Sequence, residues 1–201
     1  MKNKIKVSIV ALILVVLAAG YSIIDKNNAI YDTDVDSSDY GSLELEKRGN
    51  VNQEFVTFEE RLDGLAVKLT ASGNIDNIEV GYELEEKETG KIVSEGTASL
   101  AELKNGKFFK FKFEQVTGCK DKVYVFHMHV DKCDEDSRII VCVTDRAEDA
   151  TSLLVNGEVQ DSTIVLRTIT HRFDIETFIV TICFIIYIVL FMRWLYKLFK
   201  Q

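Results

Sequence analysis

The sequence predicts a mainly β protein: an extracytoplasmic β-sandwich or jelly roll held between an N-terminal and a C-terminal transmembrane helix. Three observations predict it. Uncharged apolar runs lie near both ends of the 201-residue chain, at residues 7–24 and 177–192. All 32 acidic residues fall in 25–176, against 18 of the 24 basic ones, so that segment carries a formal charge of −14. Within it, apolar residues recur with the period of two expected of half-buried strands.

Residues 1–24 read as a transmembrane helix or uncleaved signal anchor. A bilayer core takes about 20 apolar helical residues, with a lower limit near 17. The run 7–24 reaches that limit if Lys6 snorkels to the interface. Lys2, Lys4 and Lys6, then an apolar stretch, then Ala18-Ala19-Gly20, also fit a signal peptide cut after Gly20. The apolar run continues through Tyr21, Ile23 and Ile24, which favours retention. Cleavage would leave the C-terminal helix as the anchor.

Residues 25–50 are acidic and poor in pattern, and read as a linker. Strands follow over 51–172, the expected external domain. The predicted stretches are 53–58, 65–70, 78–84, 91–94, 96–100, 107–113, 122–131, 138–144, 152–155 and 163–170. Turn signals separate them at Gly73-Asn74, Thr89-Gly90, Asn105-Gly106, Thr117-Gly118 and Asn156-Gly157. One helical turn is expected around 98–104. Leu65, Val67 and Leu69 share a face, as do Ile78, Val80, Tyr82 and Leu84, and as do Tyr124, Phe126, Met128 and Val130.

Residues 173–201 read as the second transmembrane helix with a short basic cytoplasmic tail. Arg193, Trp194, Tyr196 and Lys197 form an aromatic and basic interfacial anchor. Three basic residues lie at each end of the chain, outside the runs and without an acid. The positive-inside rule therefore predicts a two-pass protein of the cell membrane, with both termini cytoplasmic and 25–176 extracellular. The acidity of that domain excludes nucleic acid as a partner, because a phosphate backbone needs a basic face.

The order Gln53-x-Phe55, Leu62-x-Gly64-Leu65-x-Val67 ending in Thr70, Ile78 to Leu84 leading to Thr89-Gly90-Lys91, then Leu103, Asn105, the strand 108–113 and Lys122-x-Tyr124 resembles a known pattern. It is similar to the extracytoplasmic jelly-roll modules of bacterial surface-polysaccharide assembly membrane proteins, whose long relatives are polytopic and glycosyltransferase-like. The resemblance covers about residues 50–170. It implies a carbohydrate-binding-module-like sandwich, with other membrane proteins of glycan assembly as partners. The chain has no transferase carboxylate constellation and no further helices, so transferase activity is not implied.

The remaining chemistry is sparse. No catalytic, cofactor-binding or metal-ligating residue is assigned, no cofactor is expected, and the protein reads as a non-enzyme. His127 and His129 share one strand face, and Cys142 could lie near His127 across a hairpin; wet-face residues explain the pair better than a zinc site. A sortase-like Cys142 nucleophile fits an anchored β domain, but Val141-Cys142-Val143-Thr144 lacks the sortase pattern. Bridges Cys119–Cys133 or Cys133–Cys142 are open alternatives to free thiols; Cys183 lies in the second span. Asp32-x-Asp34-x-Asp36 starts like a calcium loop, but Ser37 and Leu43 stand where Gly and Glu are needed. The loop 131–136 reads as a charged hairpin tip.

The leading reading is thus a membrane-anchored display or scaffold module accessory to surface-polysaccharide assembly. A polysaccharide chain-length regulator is the alternative, and an anchored thiol enzyme the third. The external domain has no Trp, and Phe55, Phe58, Phe108, Phe109, Phe111, Phe113 and Phe126 are mostly needed for the core. Weak soluble-sugar binding is therefore expected, with Kd no tighter than about 1 mM.

Overall fold

A computed structural model describes residues 2–146, 148 and 151–200. The chain is mainly β, with two sheets and a long apolar C-terminal helix. It divides into two units, Asn27–Thr170 and the pair Met1–Lys26 with His171–Gln201.

In chain order the elements are α1 (Lys2–Tyr21), β1 (Ile23–Ala29), β2 (Gly41–Leu45), β3 (Asn50–Val56), β4 (Arg61–Ser72), β5 (Glu79–Glu86), β6 (Lys91–Ser99), β7 (Lys107–Thr117), β8 (Val123–Lys132), β9 (Arg138–Thr144), β10 (Ser152–Val155), β11 (Glu158–Gln160), β12 (Thr163–Ile164), β13 (Leu166–Phe173) and α2 (Ile175–Phe199). One sheet has the order β11-β10-β3-β8-β5-β6. The other runs β1-β13-β4-β9-β12, with β7 on β4 and β2 on β9.

One core lies between the sheets, because period-two strands of both turn their apolar faces to it. Phe55, Leu84, Tyr124, Phe126 and Met128 come from the six-stranded sheet; Leu65, Val67, Leu69, Phe111 and Val141 come from the other. Rings meet across the middle: Phe111 is 5.1 Å from Tyr82 and 5.3 Å from Phe126, centre to centre. Two polar ties also cross. The Tyr82 hydroxyl on β5 donates to the Lys112 carbonyl on β7 at 2.7 Å. The Ile164 N–H on β12 donates to Gln53 Oε1 on β3 at 2.8 Å.

The expected apolar faces of β4, β5 and β8 are the buried ones. All five turn signals mark chain reversals or corners, each with a glycine at positive φ. Asn156 and Gly157, at φ 51° and 85°, make the two-residue connection from β10 to β11, a turn whose left-handed pair suits the twist of a hairpin.

Several expectations are corrected. The expected linker 25–50 holds most of β1 and all of β2, and Leu45 and Tyr31 are buried. Its Ser42-Leu43-Glu44-Leu45 alternates, and that short strand is stabilised by pairing along β9. The stretches 91–94 and 96–100 are one strand, β6. Gly96 keeps it continuous: a Cβ there would stand 2.6 Å from the Tyr82 hydroxyl. Of the residues 98–104, Ala98 and Ser99 close β6 and 100–104 form turns after it rather than a helical turn. The stretch 163–170 divides at Val165, whose N–H goes to the Cys142 carbonyl while its own carbonyl accepts from Lys68.

In the other unit, α1 ends at Tyr21, where the Ser22 hydroxyl donates to the Ala18 carbonyl at 2.7 Å. Ile23 and Ile24 open β1 instead of extending the helix. The apolar helical part is therefore only Ser8–Tyr21, shorter than the expected span 7–24. By contrast α2 is 25 residues long and apolar enough to cross a membrane. Asp174 caps it, accepting from the Thr177 N–H at 2.8 Å, and this bond holds the carboxyl below its ordinary range.

Candidate functional site

The histidine pair sits as the strand period requires. Tyr124, Phe126, Met128 and Val130 point into the core, so His127 and His129 point outward from β8. His127 Nδ1 lies 3.0 Å from Asn52 Oδ1 and Nε2 lies 3.0 Å from Glu85 Oε2. His129 pairs with Asp131 at 3.0 Å. Cys142 is not their neighbour. The expected β8–β9 hairpin does not exist, because β8 and β9 belong to different sheets and the segment 133–137 carries the chain between them.

The thiols of this unit stay separate. Cys119 and Cys133 are buried and Cys142 is half-buried, and none is bridged. Cys119 Sγ contacts the Val116 carbonyl at 3.3 Å; Cys133 Sγ contacts the Ser137 carbonyl at 3.5 Å. Burial is the largest influence on all three and pushes each thiol above its ordinary pKa. A thiolate is the nucleophile, so this environment opposes the sortase-like role considered for Cys142. With the other cysteines replaced by serine, Cys142 is expected to react with iodoacetamide at pH 8 more slowly than free cysteine. A faster reaction would restore the thiol-enzyme reading.

The acidic loops are turned on themselves. Asp32 Oδ1 accepts the Asp34 N–H and Asp36 Oδ1 accepts the Ser38 N–H, both at 2.9 Å. Among the described residues, no group of three or more His, Cys, Asp or Glu is placed to hold a metal ion. The loop expected as a hairpin tip is a corner between sheets, in which the Asp134 carboxylate accepts from Asn74 and Asn77.

Concave surface on this unit includes two clefts lined in part by aromatic rings. One cleft, of 550 Å³, is lined by Ile30, Tyr31, Asp32, Val56, Phe58 and Glu148 among others. Phe58, expected in the core, is 67% exposed there. The reason is local: β3 ends at Val56, and the buried Thr57 uses its hydroxyl on the Cys119 carbonyl, so the next side chain turns out. An exposed ring beside two carboxylates can take an apolar ligand face ringed by hydroxyls. The other cleft, of 530 Å³, runs beside β7 and is lined by Lys104, Lys107, Phe108, Phe109, Lys110 and Lys112 with Glu102. Neither cleft was legible in the sequence. Tyr82 and Tyr124 point inward as expected, and burial raises both hydroxyl pKa values.

No family model matches the chain, and no curated protein matches it. It is similar in structure to the clostridial cysteine protease Cwp84 after propeptide cleavage, with 8% identity and TM-score 0.48 over 73% of this chain and 40% of that one. The cysteine protease and lectin-like domains of Cwp84 from Clostridium difficile give 10% identity and TM-score 0.42 over 68% and 37%. The Yersinia pseudotuberculosis-derived mitogen gives 7% and 0.28 over 64% and 94%. The chain thus spans less than half of the Cwp84 chains it matches, and at these scores none of the three bears on what it does.

Proposed function

We propose that this protein displays a non-catalytic β-sandwich outside the cell membrane, as a binding or scaffold module accessory to surface-polysaccharide assembly. The observation that carries the display reading is α2. It follows β13 after a single residue, Asp174, and none of its side chains is buried, so 25 mostly apolar residues need a bilayer to cover them. The exposed clefts favour binding over chemistry. The glycan element rests on the strand pattern of residues 50–170 described above. A chain-length regulator would need a largely helical external domain, and Asn27–Thr170 is built of strands.

Topology is tested with single reporter cysteines in a cysteine-free background. Ser37→Cys is expected to react with a membrane-impermeant thiol reagent in intact cells, while Asn3→Cys and Lys200→Cys are protected. Labelling at 200 with none at 37 would invert the orientation. An intact mass lacking residues 1–20 would make α1 a cleaved signal and leave one span. Deleting the gene from its host is expected to lower or shorten surface polysaccharide. Unchanged polysaccharide would remove the glycan element and leave the display reading.

A further inference from the structure

The external unit is acidic overall, but strand register places its charges on opposite faces. On the outer face of the six-stranded sheet, Glu83 stands opposite Glu95 and His127, while Glu85 and Glu54 each stand opposite Val125. On the outer face of the other sheet, Lys110 and Arg167 flank Ala66 from β7 and β13, Lys112 stands opposite Gly64, and Lys68 opposite Phe108.

The cations of that second face are set among rings. The Arg167 guanidinium lies 4.0 Å from the Phe108 ring centre and donates to the Tyr31 hydroxyl at 3.0 Å. Lys68 Nζ lies 4.7 Å from the Tyr40 ring centre. Among the described residues, Lys68, Lys107, Lys112 and Arg167 have no carboxylate in ion-pair contact, whereas Lys87 and Lys122 are paired with Glu54 and Glu86 at 2.6 Å. Phe108 also lines the 530 Å³ cleft, where four lysines face one glutamate. Sheets pack about 10 Å apart, so the carboxylates of the far face stand farther from these cations than do Glu102, which lines the cleft, and Asp36, whose charge reaches Tyr40.

We propose that the edge strand β7 binds an acidic glycan: carboxylates along the chain contact Lys112 and Arg167 on the outer face and Lys107, which stands opposite Leu69 on the other side of the strand but lines the same cleft, and a sugar ring lies against Phe108. The proposal rests on the surface-polysaccharide reading and supplies its ligand class. It also accommodates the weak binding expected of neutral sugars, since charge contributes what a lone ring cannot.

The test is calorimetric titration of the full chain in detergent micelles at low and physiological salt. The probes are oligogalacturonate, a maltooligosaccharide of equal length, and short-chain polyphosphate. Oligogalacturonate is expected to bind at least about tenfold more tightly than the neutral sugar, with affinity falling as salt rises. The double variant Lys107→Gln/Lys112→Gln should lose about tenfold, and Phe108→Ala severalfold for the uronate but not for polyphosphate. Lys87→Gln/Lys122→Gln, at the strand ends of the other sheet, should change nothing. Equal losses from both lysine pairs would reduce the effect to net charge and overturn the site. Indifference of both anions to Phe108→Ala would overturn the sugar contact. Salt-sensitive self-association without glycan, lost in Lys107→Gln/Lys112→Gln, would make a second copy the occupant instead. Uronate binding indifferent to every variant would refute the site and leave the polysaccharide reading intact. No binding by either sugar refutes this inference; the broader reading then falls only if deletion also leaves surface polysaccharide unchanged.

Discussion

Phe126→Ala is expected to lower the unfolding free energy by about 3–5 kcal/mol. The ring is 1% exposed at the middle of β8 and touches Phe111 of the opposite sheet, so truncation leaves a cavity where both sheets meet. The neighbours cannot close it cheaply. Phe111 also packs on Tyr82, which is held by its own hydrogen bond to Lys112, and β8 is hydrogen-bonded along both edges. The adjacent His127→Ala should cost under about 1 kcal/mol, because it removes two half-exposed hydrogen bonds and no core volume. Urea unfolding of the full chain, followed by the strand signal in circular dichroism, measures both. Since domains are stable by only about 5–15 kcal/mol, Phe126→Ala should also show as poor yield. Equal losses from the two variants would mean that the outward face of β8 is as buried as the inward one.

That contrast was legible from Val123 to Val130, because a long strand with strict alternation leaves one choice of face. Similar clarity held for β4, β5 and the turns with Gly at positive φ. It failed where structure depends on a distant partner. β2 has five residues and is fixed by β9, about a hundred positions away. Val165 changes the partner of its strand without any break in the alternation. The β8–β9 connection looked like a hairpin because both flanks alternate, yet Cys133 and Ser137 are buried at a corner between sheets. Pairing across that imagined hairpin alone brought Cys142 near His127. At the N-terminus, hydropathy continues through Ile24, but β-branched Ile23 and Ile24 fit a strand equally well. The gathering of cations on one sheet face was invisible for another reason: Lys110 and Lys112 share one face of β7, but Lys68 and Arg167 join them only through register.

Gln53→Leu is expected to cost about 2–3 kcal/mol despite adding apolar surface to a buried site. Gln53 is fully buried, and its amide serves both sheets. Nε2 donates to the carbonyls of Glu54 and Ser152 at 2.9 and 3.2 Å, while Oε1 accepts the Ile164 N–H. Ile164 is itself buried, so leucine at 53 strands a donor that no water can reach. The Ile164 amide should therefore lose more hydrogen-exchange protection than amides at the centre of β8. Gln53→Glu separates the roles by pH. A protonated carboxyl can still accept from Ile164 and donate to Ser152, whereas the ionised form cannot donate and buries a charge. Burial raises the folded pKa of that glutamate above its unfolded value. The variant should then be near wild-type stability below the unfolded pKa of about 4.3 and lose stability as pH rises toward and through the folded value. A flat pH profile for Gln53→Glu relative to wild type would show that water reaches this position and that the tie between the sheets is not a dry one.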